Sequence, residues 1–227
     1  LPGKVLKSIG NKPMIELLLT RLSQSSELDE IVVATSEDGQ NDHLQSVVES
    51  LGYRCTRGSE KDVLNRFYES AKSLKADIVV RITGDCPLVD SMLVDQCIQG
   101  YKSAQVEYFS NIDPATYPDG LDIEVISFES IKRANNETNS EYDREHVTPY
   151  IFYRPDIFDI QSYTCPYINL GWVNLTIDEQ IDHDSLLPVQ DRLEAIPGYF
   201  TYRDVFNLIT TNPELFKGNM DVEHFNP

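Results

Sequence analysis

The chain has 227 residues and a formal net charge of −18, with 41% hydrophobic and 25% charged residues. This length can bury the core of one large domain, and the composition is typical of a globular protein. An acidic surface repels a phosphate backbone, so we expect no nucleic-acid partner. No apolar run approaches the roughly 20 residues that span a bilayer, so we expect no membrane partner. Four scattered cysteines without a C-x-x-C pair indicate a reducing compartment, and we predict a cytoplasmic protein.

The first half of the chain alternates between helical and strand patterns. Apolar residues spaced three to four apart predict amphipathic helices, and β-branched runs between polar residues predict buried strands. In chain order these elements are a helix after Pro13, a strand at 30–35, a helix at 44–51, a strand at 53–56, a helix at about 61–74, a strand at 77–82 and a helix at 91–101. This order predicts an α/β protein with a parallel sheet and helices on both faces.

The second half of the chain has a different pattern. Residues 105–127 and 156–177 indicate strands or extended segments, and residues 179–212 predict one or two terminal helices. Ser140 begins a capping-box pattern, which predicts a short helix that Pro149 should end. We therefore predict one domain over residues 1–227, in which about 105–170 form a smaller antiparallel lobe.

Asp85 is the first candidate for chemistry. It follows the predicted strand at 77–82 on a glycine turn, Thr83-Gly84-Asp85-Cys86-Pro87. Ligands of parallel α/β sheets bind outside the carboxyl ends of the strands, and a carboxylate there can hold Mg²⁺ against phosphate oxygens. The alternative is that Asp85 only caps its own turn or the next helix.

Asp178 occupies a similar place, because the apolar run 173–177 ends at this residue. Two carboxylates from distant strand ends often share one Mg²⁺, which takes few protein ligands. The alternative is that Asp178 is the N-cap of the following helix.

Two further segments concentrate charge. Asp122 and Glu124 alternate with apolar residues, which places both on one face of a strand, where they could bind a polar substrate or merely face solvent. Residues 142–149 could likewise be functional or form a solvated helix face. Lys4 and Arg57 lie in glycine-containing loops and could neutralise phosphate.

Several blocks of this sequence together resemble the cytidylyltransferases related to spore-coat polysaccharide biosynthesis protein F. This group is similar to the CMP-sialate and CMP-KDO synthetases. The blocks are Leu1-Pro2-Gly3-Lys4-Val5-Leu6, Lys12-Pro13-Met14, Arg57-Gly58-Ser59-Glu60 with Asp62-Val63-Leu64 and Arg66-Phe67, Arg81 to Asp90, Tyr117 to Val125, Asp143 to Tyr150, and Thr176-Ile177-Asp178-Glu179.

The resemblance implies a nucleotide-diphospho-sugar transferase fold, with a Rossmann-like, mostly parallel sheet and a small antiparallel lobe that forms a homodimer. It implies that CMP is transferred from CTP to an acidic sugar or related acceptor, with Mg²⁺ as cofactor and pyrophosphate as leaving group. It implies catalytic roles for Lys4, Asp85 and Asp178; the two acids would also bind the metal, and Lys4 would bind the triphosphate. The remaining implied residues are Arg57, Ser59 and Arg81 for the nucleotide, and Asp119, Asp122, Glu124, Arg144, Glu145 and His146 for the acceptor.

Two departures from the family pattern leave other functions open. The family's first strand and its basic glycine-containing loop are absent before Leu1, so we expect that an N-terminal piece is missing from this sequence. After Asp178 the chain reads Gln180-Ile181, where the family usually has Pro-Glu. The alternatives are a nucleotide-sugar-dependent glycosyltransferase of the same fold and an inactive, truncated nucleotide-binding protein.

Overall fold

A computed structural model describes residues 3–216 of the chain. The strands are β1 (Ser8–Ile9), β2 (Lys12–Pro13), β3 (Val32–Ser36), β4 (Arg54–Gly58), β5 (Ile78–Arg81), β6 (Tyr108–Ser110), β7 (Glu124–Ser127) and β8 (Ile160–Ser162). The α-helices are α1 (Met14–Leu22), α2 (Asp42–Ser50), α3 (Val63–Leu74), α4 (Ser91–Ala104), α5 (Phe128–Glu137), α6 (Glu141–His146), α7 (Pro149–Phe152), α8 (Gln180–Glu194) and α9 (Tyr202–Thr211). Short 3₁₀ helices lie at Lys4–Leu6, Gly39–Asn41 and Pro213–Phe216.

The strands form parallel and mixed sheets, which confirms the predicted Rossmann-like α/β fold class. β3 and β4 pair in parallel, from Val32 opposite Arg54 to Ser36 opposite Gly58. A second sheet has the order β5-β7-β6-β8. Here β7 runs antiparallel to both β5 and β6, whereas β6 and β8 are parallel. A small antiparallel pair, β1 and β2, lies near the start of the described residues.

The elements predicted in the first half are confirmed, with ends that differ by a few residues. β4 continues to Gly58 because its ladder with β3 extends to that residue. α3 begins after Asp62, whose side chain accepts a hydrogen bond from the amide of Asn65, a normal N-cap. α4 continues to Ala104 and ends where Gln105 adopts a left-handed conformation, with φ of 55°.

Two features of the second half differ from the sequence prediction. α5 was not predicted, because only Phe128, Ile131 and Ala134 give its ten residues an apolar stripe; its N-cap, Ser127, accepts from the amide of Ser130. The prediction that Pro149 ends a helix is wrong. α6 already ends at His146, and Pro149 occupies the first turn of α7, where its missing N–H costs nothing.

The second sheet separates two hydrophobic clusters. Successive strand residues point to opposite faces, so Phe109 and Val125 join the larger cluster while Tyr108 and Ile126 join the smaller one. The two predicted terminal helices, α8 and α9, pack on the larger cluster. Within 156–177, only β8 forms a strand. The smaller lobe at 105–170 remains a prediction.

No helix among residues 3–216 is long and apolar enough to cross a membrane.

Candidate active site

Asp85 lies in the turn that follows β5. The amide of Cys86 donates to the carbonyl of Thr83, at 3.3 Å, which closes the turn. The side chain of Asp85 is 24% exposed, so a ligand can reach it. The N-cap of the next helix, α4, is Asp90, so the alternative that Asp85 caps that helix is wrong.

The segment before Asp178 is tied to this turn through the backbone. The amide of Ile177 donates to the carbonyl of Asp85, at 3.0 Å. Two residues earlier, the amide of Leu175 donates to the carbonyl of Asp119, at 2.8 Å. The segment thus runs alongside the loop of Asp85 and the loop of Asp119, and this places Asp178 next to Asp85. Glu179, rather than Asp178, is the N-cap of α8, in a capping box with Asp182, so the cap alternative for Asp178 is wrong.

Lys4 joins the two carboxylates. Its ammonium donates to Oδ2 of Asp85 at 2.8 Å and to Oδ1 of Asp178 at 2.7 Å. The backbone of Lys4 belongs to a 3₁₀ helix that starts after Gly3, whose φ is 65°, and the amide of Leu6 donates to the carbonyl of Gly3. Three of the predicted catalytic residues, from three distant parts of the chain, therefore meet at one point.

The pKa values of this cluster reflect opposite-charge pairing that outweighs burial. Desolvation alone would raise the pKa of Asp85, but the charge and hydrogen bonds of Lys4, with help from Thr83, hold it below its usual range. Desolvation would lower the pKa of Lys4, but Asp85 and Asp178 raise it. Both shifts favour the charged forms of Asp85 and Lys4.

This donor set fits a magnesium ion. Oxygens of Asp85 and Asp178 lie within 2.8 Å of the same ammonium nitrogen, so both carboxylates already face one cationic position. Carboxylate oxygens are the ligands that Mg²⁺ prefers, and it commonly takes one or two of them and keeps several waters. No cluster of three or more His, Cys, Asp or Glu side chains suited to a metal occurs within residues 3–216.

A pair of acids, Asp119 and Asp122, lies beside this cluster. Gly120 between them has φ of 94°, and a Cβ atom there would come within 2.8 Å of the backbone of Leu175, so only glycine fits. Desolvation, the charge of Asp119 and a hydrogen bond with it raise the pKa of Asp122 well above its usual value. The pKa of the Cys86 thiol is raised by burial and also by the negative charges of Asp85, Asp122 and Asp119. The pair therefore lies close to the Asp85 turn.

Arg81 and Glu124 form a buried pair where β5 meets β7. They lie opposite each other in the sheet, and Nη1 of Arg81 donates to Oε2 of Glu124 at 2.9 Å. Tyr108 and Thr148 both donate to Oε1 of Glu124, at 3.1 Å. Glu124 is 3% exposed, so all three of these contacts are internal to the fold. The predicted ligand roles of Arg81 and Glu124 remain predictions.

Sequence patterns gave no signal for Tyr108 and Thr148 in this network. Ser110, opposite Glu124 in β6, shares a face with Tyr108. The alternation of side chains along β6 would have identified Tyr108 as a partner of Glu124 only if the register of β6 and β7 had been known.

Arg144 of the 143–149 block binds the start of α3. It donates to Oδ2 of Asp62 at 2.8 Å, and to the carbonyls of Asn135 and Thr138 at 2.9 and 3.0 Å. The neighbouring side chains lie at the surface: Glu145 is exposed, and the ring of half-buried His146 packs at 4.5 Å from that of the exposed Tyr142. The acceptor roles predicted for Arg144, Glu145 and His146 remain predictions.

Arg57 and Ser59 lie at and just after the end of β4. The guanidinium of Arg57 donates to the carbonyls of Ser36 and Asp38 and to the side chains of Asp42 and Gln45. Ser59 accepts a hydrogen bond from the amide of Asp62, at 3.1 Å. Arg57 therefore ties β4 to the connection between β3 and α2, whereas Ser59 shapes the loop between β4 and α3. Their contact with a nucleotide remains a prediction.

Comparisons with known proteins agree with this geometry. A family model described as cytidylyltransferase matches residues 1–197. The chain is 34% identical over 223 residues to the uncharacterized protein MJ1063 of Methanocaldococcus jannaschii, covering 98% of this chain and 90% of that protein. It is 30% identical over 220 residues to the spore coat polysaccharide biosynthesis protein SpsF of Bacillus subtilis, covering 94% and 90%.

The predicted similarity to CMP-KDO synthetases is also confirmed. The 3-deoxy-manno-octulosonate cytidylyltransferase of Pelobacter propionicus is 35% identical over 100 residues, covering 43% of this chain and 38% of that enzyme. Among solved structures, a cytidylyltransferase from Leptospira borgpetersenii superimposes with a TM-score of 0.89 at 29% identity, covering 99% of this chain and 93% of that one. The chain therefore belongs to the cytidylyltransferase family and is a CTP-dependent nucleotidyltransferase.

Proposed function

We propose that this protein transfers CMP from CTP to a hydroxyl group of an acidic sugar, with Mg²⁺ as cofactor and pyrophosphate as the other product. The observation that carries the proposal is the meeting of Asp85 and Asp178 on one cationic position, 2.8 and 2.7 Å from Nζ of Lys4. This is the arrangement that a triphosphate and its counter-ion require at the carboxyl end of a strand.

In this proposal the acceptor oxygen attacks the α-phosphorus of CTP, and the bond from that phosphorus to the bridging oxygen breaks. The acceptor hydroxyl releases its proton to the solvent, and the electron pair of the broken bond leaves with pyrophosphate. Mg²⁺, held by Asp85 and Asp178, would supply positive charge to the phosphate oxygens. Catalysis then consists mainly of positioning and charge neutralisation, as in other phosphoryl transfers.

The residues of the chain have separate tasks here. Lys4 would bind the triphosphate and neutralise negative charge on it. Arg57 and Ser59, at and just after the end of β4, would hold the nucleotide. Asp119 and Asp122 would face the acceptor, and the raised pKa of Asp122 favours its neutral form, which lessens repulsion of an acidic sugar.

The acceptor, the assembly and the compartment are further parts of the proposal. Similarity to 3-deoxy-manno-octulosonate cytidylyltransferases and to a spore coat polysaccharide protein supports a sugar-acid acceptor and a role in surface-glycan synthesis, including that of a spore-coat polysaccharide where one is made. The side chains of Tyr167, Ile168 and Trp172 are 72, 41 and 45% exposed, and exposed apolar side chains on one segment support a homodimer. The scattered free cysteines support a cytoplasmic location.

The test is pyrophosphate release by the full-length protein, with each of the four nucleoside triphosphates and a panel of sugar acids in the presence of Mg²⁺. We expect release with CTP and an acidic sugar. The matched control is the amide of the same sugar acid, which keeps its hydroxyls and loses its charge, and should react poorly. Absence of release with every pair, or equal rates with all four nucleotides, would contradict the proposal. Sugar transfer from a nucleotide-sugar without pyrophosphate release would instead support a glycosyltransferase.

A further inference from the structure

The ammonium of Lys4 lies where a metal ion that binds the same two carboxylate oxygens would lie. It is 2.8 Å from Oδ2 of Asp85 and 2.7 Å from Oδ1 of Asp178. A cation that contacts both oxygens must lie between them, and that space already holds Nζ. Lys4 and a divalent cation therefore compete for the same two carboxylates, because both cannot contact the same oxygens there.

The side chain of Lys4 is free to change partner while its backbone stays in place. The 3₁₀ helix Lys4–Leu6 is anchored because the neighbouring side chains of Val5 and Leu6 pack on the larger hydrophobic cluster. The amide of Met14 also donates to the carbonyl of Lys7, at 2.8 Å, which ties this segment to α1. The Lys4 side chain, by contrast, is 26% exposed, and its four-carbon stem can place the ammonium at several positions around a fixed Cα.

We propose that Lys4 acts as an exchangeable counter-ion, which holds Asp85 and Asp178 together in the free protein and moves to the triphosphate when a divalent cation binds. The inference rests on the proposed metal site. Lys4 weakens metal binding in the absence of nucleotide, because the metal must first displace two short, charge-assisted hydrogen bonds. The triphosphate offers Lys4 a new partner, so metal and nucleotide strengthen each other's binding, and this coupling is reciprocal.

The test is the affinity of the protein for Mn²⁺ alone, without nucleotide, measured by calorimetry and by the loss of the free-ion electron paramagnetic resonance signal. Lys4→Met removes the competing charge and keeps a chain of similar length. Lys4→Arg keeps the charge. Lys7→Met is the matched control: Lys7 lies in the same segment and loses the same charge, but its ammonium donates to Gln180 at 2.6 Å rather than to the two acids.

We expect Lys4→Met to bind Mn²⁺ on the order of tenfold more tightly than the wild type, a difference of about 1.4 kcal/mol, because the metal no longer has to displace the two partly buried ion pairs of Lys4. Lys4→Arg and Lys7→Met should stay within about threefold of the wild type, a margin smaller than one such pair. As a second readout, Mn²⁺ should raise the melting temperature of Lys4→Met more than that of the wild type, because ligand stabilisation grows with affinity. Both readouts are independent of whether the variants retain enzymatic activity.

Equal or weaker Mn²⁺ binding by Lys4→Met than by the wild type would overturn the proposal. If both proteins bind Mn²⁺ equally and Asp85→Asn abolishes it, the metal site stands and only the exchange fails. Should neither the wild type nor Lys4→Met bind Mn²⁺, the metal site itself fails, and with it both proposals. Tighter binding by Lys4→Arg as well would show that charge at this position does not compete, which also overturns the exchange.

Discussion

The backbone amide of Ile177 donates a hydrogen bond to the backbone carbonyl of Asp85, at 3.0 Å. This single bond connects two segments that are more than ninety residues apart in the chain. Because Asp178 follows Ile177 directly, the bond fixes the two acids as neighbours independently of their side chains. The meeting of the acids is thus a property of the fold, and Lys4 adds to it rather than creating it.

Arg21 supports the segment that joins the Asp85 turn to α4. Its guanidinium, 3% exposed, donates to the carbonyls of Leu88 and Val89 and forms a buried pair with Asp90 at 3.4 Å. It also stacks at 3.9 Å from the ring centre of Phe200. Replacing Arg21 would leave a buried carboxylate without its cation.

We therefore expect Arg21→Met to lower the free energy of unfolding by about 3–5 kcal/mol, measured by urea denaturation. The double variant Arg21→Met/Asp90→Asn should lose less than the sum of the single changes, because it leaves no unpaired charge. Arg192→Met, at an exposed position of α8, is the control and should change stability by less than about 0.5 kcal/mol. If the losses of unfolding free energy in Arg21→Met and Asp90→Asn simply add in the double variant, the ion pair between Arg21 and Asp90 contributes nothing and this prediction is contradicted.

Asp122 should destabilise the protein at neutral pH. Its pKa is raised in the folded state, so the unfolded chain loses this proton at lower pH than the folded chain does. Stability therefore falls as pH rises from about 4, the unfolded pKa, towards the folded value. Asp122→Asn removes this penalty.

The expected result is a melting temperature for Asp122→Asn that is roughly 2–4 °C higher than that of the wild type at pH 8. The gain should vanish below about pH 3, where the wild-type carboxyl is protonated in both states. Asp156→Asn makes the same change at an exposed position and should show no such pH-dependent gain. A gain of equal size at both pH values would rule out the raised pKa as its cause.

Arg144 joins α6 to the N-cap of α3. The planar guanidinium of Arg144 donates to Asp62 and to the carbonyls of Asn135 and Thr138 at once. The single ammonium of a lysine cannot reach all three acceptors. We expect Arg144→Lys to lower the free energy of unfolding by about 1–2 kcal/mol in urea denaturation. The control is Arg133→Lys, because Arg133 pairs with Glu137 at 3.0 Å on the exposed face of α5 and such pairs contribute little. Equal losses in the two variants would mean that the Arg144 contacts add no stability.

The fold was predictable where the chain carries strong local patterns. α1 to α4 and the strands between them follow from apolar spacing and β-branched runs, and Asp85 and Asp178 follow from their places at the ends of such runs. α5 was missed because three apolar side chains in ten residues are a weak signal, and Pro149 was misinterpreted because a proline suits the start of a helix as well as a position beyond its end.

The contacts of the site were not predictable from local patterns. The pairing of Arg81 with Glu124 depends on the register of β5 against β7, which no short segment encodes. Likewise, the distance between Lys4 and the two acids depends on the packing of three segments that are remote in the chain. The resemblance to a family supplied which residues to compare, and the structure supplied the hydrogen bonds among them.

The most direct test of the account follows label from α-³²P-CTP into the sugar product, in the wild type and in Asp85→Asn and Asp178→Asn. Each substitution keeps the side-chain shape and removes one negative charge from the shared position. With Mg²⁺ present, we predict labelled CMP-sugar from the wild type and a loss of about 10³-fold or more in rate for each variant. Asp191→Asn, an exposed acid of α8, should retain wild-type activity. A rate within tenfold of the wild type for either Asp85→Asn or Asp178→Asn would contradict the central claim.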